Sequence, residues 1–351
     1  MKLLVNTPSL EMAGGVANFY RGLKNYWTAE VHYNTIGSRK WISGSILLPI
    51  DILKYILKIL VLKPNLILLN PSLGRKAVIR EGLYLRVSNW LKVPTIVFFR
   101  GWNEVLAEEI SKNPTPFVRI YNRADKLLVL ASSFKEQLLN WGISKPISLM
   151  TTKVDNELVS KFNVNEKVYG NTVLFLARVE EYKGIFTALD SFKKIKDAIP
   201  EANMIVAGDG DALEDVKAYT KKLNIDRYVK FTGYLSGNNL IDVYKSSDIY
   251  ILPSSHGEGM PNSVLEAMAF GLPIISRPVG GLVDFFENGK MGYLIESLNP
   301  EDYYQKAISL LNDKELTKRI GQYNHQYAKE QFMASEVAKS LEILFQKVAV
   351  N

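Results

Sequence analysis

The segment from Ser254 to Gly281 holds the residues whose types and spacing best fit a ligand-binding site. Pro261 and Asn262 are expected to open a helix after a strand and a glycine-containing loop, with Asn262 as the N-cap. The backbone N–H groups beyond such a cap have no partners and carry partial positive charge, which suits a phosphate. Glu258 lies on the loop and Glu266 one turn into the helix, so both carboxylates can face one crevice. Because carboxylates repel phosphate, we expect them to accept hydrogen bonds from hydroxyl groups.

Two cations complement these carboxylates. Arg178 follows an apolar run that predicts a strand, and Lys183 lies five residues further on, just before Gly184 and a predicted helix. Open α/β sheets bind ligands at the carboxyl ends of their strands, and arginine can bind two phosphate oxygens at once. Near the start of the chain, Gly14 and Gly15 follow the first predicted strand. Because glycine has no side chain, backbone amides there could approach a phosphate closely. Each of these signals is weak when taken alone.

Short apolar runs alternate with amphipathic stretches along the whole chain, which predicts repeated strand–helix units on parallel sheets. At 351 residues the chain is longer than one hydrophobic core usually spans, so we expect two doubly wound α/β domains. The boundaries are expected at 1–165, 166–333 and 334–351, with the polar stretch Lys161–Asn171 as the linker. The predicted strands are Lys2–Asn6, Leu66–Asn70, Thr95–Phe99, Lys126–Leu130, Thr172–Ala177, Asn203–Ala207, Val229–Thr232, Asp248–Leu252 and Pro273–Ser276. The predicted helices include Ile185–Ala198, Ala212–Leu223, Ser263–Phe270 and Ala334–Val350.

The composition excludes several classes of protein. No cysteine is present, which excludes disulfides, zinc ribbons, iron–sulfur clusters and thiol nucleophiles, and three scattered histidines argue against a histidine-rich metal site. There is no signal-peptide pattern at the N-terminus and no run of eighteen uncharged apolar residues. We therefore expect a soluble cytoplasmic protein without a metal or another cofactor.

Charge is distributed unevenly along the chain. Residues 1–165 contain 22 Lys and Arg against 11 Asp and Glu, whereas the remainder is slightly acidic. The apolar segment Ile46–Leu62 has few charges, and it is interpreted either as a core helix or as a helix on a membrane surface. Basic residues near it favour an anionic bilayer as a partner of residues 39–92, although a solvated basic face explains them as well. These residues are Arg39, Lys40, Lys54, Lys58, Lys63, Arg75, Lys76, Arg80, Arg86 and Lys92, together with Trp41.

Taken together, these motifs resemble glycosyltransferase family 4, whose members have the GT-B architecture of two facing Rossmann-like domains. The resemblance covers nearly the whole chain, and the ordered series Arg178, Lys183, Glu258 and Glu266 is its most specific part. It also includes Asn6-Thr-Pro, Gly14-Gly15, Ala207-Gly-Asp209-Gly, Phe231-Thr-Gly233-Tyr and Gly271-Leu-Pro-Ile-Ile.

The resemblance implies a role for each matching residue. Arg178 and Lys183 would bind the diphosphate of a nucleotide-sugar and stabilise the leaving group, and Glu266 would bind the ribose. Glu258 would contact the donor sugar together with backbone amides of Gly259, Met260, Pro261 and Asn262. Gly14 and Gly15 would approach the diphosphate from the first domain, while Gly233 and Tyr234 would lie near the base. The terminal helix would pack back on the first domain.

The family also implies a reaction. Its members retain the anomeric configuration, need no metal, and are thought to use the leaving phosphate to assist the acceptor hydroxyl. A glycan or lipid-linked acceptor in bacterial surface polysaccharide assembly, such as O-antigen or capsule, is the setting that the resemblance suggests.

Two features need a separate interpretation. Where the family often has a histidine that contacts the donor sugar, this chain has Arg100, which cannot act as a base but can bind the sugar's 6-position or an acidic group. The Asp209-Gly-Asp211 triplet is typical of a metal site in another glycosyltransferase architecture, but its place between strand and helix favours helix capping.

Alternatives from other classes stay open. A nucleotide-sugar 2-epimerase would use a similar scaffold without an acceptor. A basic protein that binds membranes or nucleic acid without catalysis would fit the charge of the first half, although no nucleic-acid-binding motif is found. A pyridoxal-phosphate phosphorylase is disfavoured because no lysine is a convincing Schiff-base residue.

Overall fold

The computed structural model describes residues 1–12, 14–37, 44–255 and 259–349. These residues form two compact units. Unit 1 contains the described residues of 1–153 together with 259–260 and 334–349, and unit 2 contains 154–255 and 261–333. Each unit is built on one six-stranded parallel sheet, so the predicted α/β fold with two Rossmann-like sheets is confirmed.

The sheet of unit 1 has the strand order β2-β1-β3-β4-β5-β6. All five neighbouring pairs are parallel, so every strand ends at the same edge of the sheet. The strands are β1 (Lys2–Thr7), β2 (Glu30–Thr35), β3 (Leu66–Leu69), β4 (Thr95–Phe98), β5 (Lys126–Val129) and β6 (Ile147–Leu149). The helices of this unit are α1 (Gly15–Leu23), α2 (Gly44–Leu62), α3 (Arg75–Trp90), α4 (Glu104–Lys112), α5 (Thr115–Tyr121), α6 (Ser132–Trp141) and α14 (Ala334–Ala349).

The sheet of unit 2 has the order β12-β11-β10-β7-β8-β9, again with parallel neighbours. Its strands are β7 (Thr172–Leu176), β8 (Asn203–Ala207), β9 (Val229–Gly233), β10 (Ile249–Leu252), β11 (Ile274–Ser276) and β12 (Gly292–Leu294). Its helices are α7 (Asn156–Val159), α8 (Ile185–Ala198), α9 (Leu213–Lys222), α10 (Gly237–Ser246), α11 (Asn262–Ala269), α12 (Pro300–Asn312) and α13 (Lys314–Gln331). The central strands are almost wholly buried, which explains their continuous apolar runs in the sequence.

Residues 154–171 pack into unit 2, whereas the sequence suggested a domain boundary at 165 and a polar linker. Val154 forms a bridge with Met333, and the Phe162 ring lies 5.0 Å from that of Phe270. Lys167 is buried and donates hydrogen bonds to three backbone carbonyl oxygens at the end of α10. Its burial lowers the pKa of Lys167 to about 8. The buried lysine of this polar stretch thus satisfies a helix end, while Lys161, Asn163, Asn165 and Glu166 are exposed.

Helix α14 belongs to unit 1 and packs against α1 and β3. Its apolar face, with Val337, Leu341 and Phe345, is buried in the core on one side of the sheet. Glu342, also buried, accepts hydrogen bonds of 2.8 Å from the backbone N–H groups of Thr28 and Ala29 and one of 2.6 Å from the Thr28 hydroxyl. One carboxylate therefore fixes the terminal helix to the loop before β2.

Helix α2 has one buried face and one exposed face. Tyr55 and Ile59 are buried in the core on the other side of the sheet, and the Tyr55 hydroxyl is 2.6 Å from that of Ser88 on α3. The opposite face exposes six large apolar residues: Ile46, Ile50, Leu53, Leu57, Leu60 and Val61. The segment thus packs as a core helix on one side only. No helix among the described residues has the length and apolar content needed to span a bilayer.

The buried carboxylate predicts a measurable contribution to stability. Glu342→Ala should lower the free energy of unfolding of unit 1 by about 1.5–3 kcal/mol, because three donors lose a charged acceptor. Urea unfolding followed by circular dichroism measures the change. Lys339→Ala, at an exposed position of the same helix, is the matched control, and an equal effect of the two changes would contradict the role of Glu342.

Candidate functional site

In unit 2 the strand order reverses at β7, which lies between β10 and β8. Open parallel sheets bind ligands beside such a switch point, outside the carboxyl ends of the strands. The loop after β7 carries Arg178 and Lys183, and the chain after β10 leads to α11, which carries Glu266. These three predicted residues therefore follow the two strands that flank the switch point.

Two glycines let the loop after β8 lie directly against the loop that carries Arg178. A Cβ atom on Gly208 would lie 1.9 Å from the Ala177 carbonyl oxygen, and one on Gly210 would lie 2.4 Å from that of Val179. The Val179 N–H donates to the Asp209 carbonyl at 3.0 Å. The backbone on both sides of Arg178 is thereby fixed, while its side chain stays exposed.

Arg178 and Lys183 approach the same aromatic ring. The Arg178 guanidinium carbon lies 5.7 Å and the Lys183 Nζ 5.6 Å from the centroid of Tyr182. Lys183 is buried, whereas Arg178 is exposed. The Tyr182 carbonyl accepts the Ser255 N–H at 2.9 Å, which joins the loop after β7 to the chain after β10. The structure thus places both predicted cations beside Tyr182.

A pocket of about 420 Å³ lies beside this loop. Gly184, at the start of α8, has φ +76°, and a Cβ there would lie 2.1 Å from the Pro253 carbonyl oxygen. Only glycine permits α8 to begin so close to the end of β10. The pocket is lined by Glu181, Tyr182, Gly184, Phe186, Thr187, Ser255 and Leu298.

Glu266 is held in place by a tyrosine that the sequence analysis missed. The hydroxyl of Tyr244, a fully buried residue of α10, donates to Glu266 Oε2 at 2.8 Å. Burial, with the neighbouring Glu266 charge, raises the pKa of Tyr244 well above its usual value, so the hydroxyl keeps its proton. The Tyr250 hydroxyl donates to the Leu176 carbonyl and is 2.7 Å from the Ser263 hydroxyl, which ties the first turn of α11 to the end of β7.

Two predicted helix caps are wrong. Helix α11 has Pro261 at its N-cap and Asn262 as its first residue, and no side chain caps it. Helix α9 has Ala212 at its N-cap, also without a side-chain hydrogen bond, so neither Asp209 nor Asp211 caps it. Instead, Asp209 accepts the N–H of Gly210 at 2.9 Å. The close packing of the β7 and β8 loops fixes this turn before the helix begins.

Gly233 and Tyr234, the residues predicted near the base, end β9 in an open position. Gly233 has φ +68°, and a Cβ atom there would meet nothing within 4 Å. Tyr234 is 81% exposed, which is unusual for a tyrosine and leaves its ring available for stacking.

Three of the predicted donor contacts, Glu258, Gly259 and Met260, lie at or beyond the start of a described range. Glu258 lies outside the described residues. Gly259 and Met260 group with unit 1, where a Cβ on Gly259 would lie 2.8 Å from Leu130 and Met260 packs against the core.

In unit 1, Gly14 and Gly15 stand at the start of α1. Gly14 is the N-cap with φ +147°, no side chain caps the helix, and no acidic residue lies in its first turn. A Cβ on either glycine would meet nothing within 4 Å. The start of α1 thus has room at both glycines, and a helix N-terminus without a side-chain cap is the kind of site that suits an anion.

A buried polar cluster lies at the same edge of this sheet. The Asn34 amide donates to Asn6 Oδ1 at 3.0 Å, and the Asn70 amide donates to the Asn6 carbonyl at 2.9 Å. Arg80 pairs with the wholly buried Glu81 at 3.1 Å. Burial raises the pKa of Glu81 to about 7 in spite of that partner. The cluster was not foreseen, because asparagines at strand ends look like ordinary loop residues in a sequence.

Arg100, which follows β4, lies between two aromatic rings of unit 1. Its guanidinium carbon is 3.7 Å from the centroid of Phe19 and 4.4 Å from that of Phe98. Burial lowers the pKa of Arg100 to about 10, which still leaves it protonated near neutral pH.

Neither acidic nor histidine side chains gather into a metal site within the described part of the chain, where no group of three or more such residues could hold an ion. Asp209 and Asp211 therefore do not belong to such a group.

Residues 157–327, nearly all of unit 2, match the family described as Glycosyl transferases group 1. This stretch contains Arg178, Lys183, Glu266 and the switch point of the sheet. Unit 2 is therefore similar to this family over almost its whole length.

Curated relatives are similar over parts of the chain. An uncharacterized glycosyltransferase of Methanocaldococcus jannaschii is 25% identical over 65% of this chain and 60% of its own length. The sulfoquinovosyl transferase SQD2 of Arabidopsis thaliana is 36% identical over 39% of this chain and 27% of its own length. The chain thus spans less than two thirds of these relatives.

Solved structures share the fold over almost the whole chain. HepE of Anabaena, crystallised with UDP and glucose, has a TM-score of 0.74 at 17% identity and covers 99% of both chains. A glycosyltransferase of Rickettsia africae has a TM-score of 0.75 at 16% identity, covering 100% of this chain and 99% of its own. The chain therefore has the GT-B fold.

The contact at Gly184 predicts a large steric effect. Gly184→Ala should destabilise unit 2 more than Gly233→Ala, by about 1–3 kcal/mol, because both positions have positive φ but only the first lacks space for a Cβ. Thermal unfolding of the two variants separates the steric cost from the conformational cost. Equal destabilisation would show that α8 moves away from β10 without penalty.

Proposed function

We propose that this protein is a retaining glycosyltransferase that moves a sugar from a nucleotide-sugar to a glycan or lipid-linked acceptor. The observation that carries the proposal is the group at the switch point of unit 2. There Arg178 and Lys183 approach one ring after β7, and Tyr244 holds Glu266 on α11.

Each of these groups has a distinct task in the proposed reaction. Arg178 and Lys183 neutralise the negative charge that develops on the departing nucleoside diphosphate, a form of electrostatic stabilisation that needs no metal. Glu266 accepts hydrogen bonds from the ribose hydroxyls, and the Tyr244 hydroxyl keeps its carboxylate in one orientation. Tyr234 offers its exposed ring to the base. Gly14, Gly15, Arg100, Glu258 and the segment 259–262 stay predicted donor contacts.

Surface polysaccharide assembly is the setting that we propose, with an acceptor presented at a membrane. Exposed apolar and basic side chains of unit 1 support this part of the proposal. The six apolar residues of the exposed face of α2 have Lys54 and Lys63, both exposed, beside or just after them. Such a mixture fits a helix that lies on an anionic bilayer.

The neighbouring helix α3 adds to this surface. Helical spacing places four of its residues on one face: Arg75, Ile79, Arg86 and Trp90. The side chains of Ile79 and Trp90 are 59% and 72% exposed. Arg86 also lines a pocket of about 540 Å³ together with Arg119 and Arg123 of α5 and the loop after it. Helices α2, α3 and α5 pack on the same side of the sheet, so their exposed faces all point away from it.

Three of the described basic residues expected at this surface already have partners. Arg80 pairs with buried Glu81, Arg75 pairs with Glu109, and Lys58 donates to the Tyr33 carbonyl at 3.0 Å. Arg39, Lys40 and Trp41 lie outside the described residues. The cations that we assign to the bilayer are therefore Lys54, Lys63, Lys76, Arg86, Lys92, Arg119 and Arg123.

Nucleotide binding tests the proposed site. Thermal shift against uridine, guanosine, adenosine, cytidine and thymidine diphosphates and their parent nucleosides should select one base, because a bound ligand stabilises the fold by mass action. Glu266→Ala should weaken the binding of both the nucleoside and its diphosphate by about 1.5–3 kcal/mol. Arg178→Ala should weaken the binding of the diphosphate alone.

Arg227→Ala, which removes an exposed arginine of unit 2, is the control and should change neither affinity. If Glu266→Ala and Arg178→Ala bind like the parent protein, the site is not where we propose it.

Incubation with the selected nucleotide-sugar alone tests the reaction class. Conversion of the donor to its 2-epimer would show that the protein is an epimerase and not a transferase.

Flotation with liposomes tests the membrane surface. The protein should float with phosphatidylglycerol vesicles at low salt, and less with phosphatidylcholine or at high salt, because each cation contributes roughly 1 kcal/mol. Arg86→Gln/Arg119→Gln/Arg123→Gln should weaken binding at low salt. Leu53→Ser/Leu57→Ser/Leu60→Ser should abolish it.

Val168→Ser, which removes an exposed apolar residue of unit 2, serves as the control and should float like the parent protein. Absence of flotation, or equal flotation with both lipids at all salt concentrations, would contradict membrane docking through α2 and α3.

A further inference from the structure

The guanidinium of Arg100 carries a charge that no described residue balances. Two of its nitrogens, Nε and Nη1, are enclosed and have no hydrogen-bond partner among the described residues. Nη2 is not enclosed in this way, and the residue keeps partial exposure. The charge is thus covered by aromatic rings but open to a ligand at one nitrogen.

The polar groups around Arg100 do not act as counterions. Tyr20 is the group whose charge would act on it, but burial raises the pKa of Tyr20 far above neutral, so its hydroxyl is uncharged. That hydroxyl donates to Asn70 at 2.6 Å. The backbone beside Arg100 is also fixed, since its N–H donates to the Pro71 carbonyl at 2.8 Å and Gly101 pairs with Ser72.

A guanidinium cannot relieve this situation by losing its proton, because it stays charged at any ordinary pH. Contacts with the faces of two rings compensate only part of the lost hydration. Unsatisfied N–H groups of a buried cation are costly, and proteins normally pair them with an anion. Within the described residues that anion is missing, and a bound oxyanion would supply it.

We propose that Arg100 binds an oxyanion of the substrate, either a carboxylate on a sugar or a phosphate. The inference rests on the proposed function, because it names the chemical class of one group of that substrate. A carboxylate or phosphate presents two oxygens to the guanidinium fork, reaching it first at Nη2 and drawing the enclosed nitrogens into hydrogen bonds. Arg100, at the position where the family often has a histidine, would then favour a substrate with a charged group over one with a hydroxyl.

Four probes separate the two sources of the oxyanion. UDP-glucose and UDP-glucuronate differ only in the carboxylate at the sugar's 6-position, while pyrophosphate and D-glucuronate carry each anion alone. Isothermal titration measures their affinities for the full chain and for Arg100→Met, which keeps an apolar side chain between the rings. If the anion is a carboxylate, UDP-glucuronate binds roughly tenfold or more tighter than UDP-glucose, and Arg100→Met removes this advantage.

If the anion is a phosphate, the two sugar nucleotides bind alike and Arg100→Met weakens both of them and pyrophosphate. If Arg100→Met binds each of the four probes with an affinity within about twofold of that of the parent protein, the proposal is overturned. If none of the five nucleoside diphosphates binds but pyrophosphate or D-glucuronate binds through Arg100, the proposed function fails and the oxyanion site stands.

Stability gives a second readout that a purely structural role would not produce. Arg100→Met should raise the Tm, because it removes an unbalanced charge and breaks no hydrogen bond of the side chain. Arg21→Met, in the same unit, should lower the Tm, because Arg21 donates to the carbonyls of Leu10 and Met12. A fall in Tm for Arg100→Met together with unchanged affinities would show that the cation only packs against the rings.

Discussion

The candidate site of unit 2 depends on the close approach of three loops at one edge of its sheet. Parallel strands bring their carboxyl ends together, but the loops that follow can touch only where a side chain is absent. Gly184, Gly208 and Gly210 supply those points, since a Cβ on any of them would lie within 2.4 Å of a carbonyl oxygen. These contacts fix the backbone around Arg178 and Lys183, the two cations of the candidate site.

Most of the fold could be predicted from the sequence because buried parallel strands are apolar throughout. All nine predicted strands exist, with ends shifted by a residue or so. The three that were missed, β2, β6 and β12, all lie at sheet edges. β2 alternates with polar residues and the other two have three residues each, so neither hydrophobicity nor length distinguishes them from loops. What a sequence window cannot supply is the neighbour that turns such a segment into a strand.

The candidate site divides in the same way. Arg178, Lys183 and Glu266 could be found because their types and spacing form a recognisable series. Tyr244 could not be found, because it lies on another helix and acts through a hydroxyl that nothing in its local sequence marks. The caps expected from Asn262 and Asp211 failed for a related reason. Tertiary contacts of the preceding loops set where α9 and α11 begin, and local capping preference is too weak to override them.

Unit 1 shows two departures from the usual arrangement of buried and exposed groups. Helix α2 leaves its outer apolar face uncovered, although the inner face already supplies the packing that the sheet needs. Arg100 has the opposite character, a charge packed against two rings with no acid among the described residues to balance it. Neither feature helps the isolated chain to fold, since exposed apolar area favours association and an unpaired buried cation costs stability. Both become favourable once a bilayer covers the helix and an oxyanion reaches the guanidinium. Local conflicts of this kind concentrate at functional surfaces, which is why unit 1 is where we expect the substrate's charge and its membrane to be recognised.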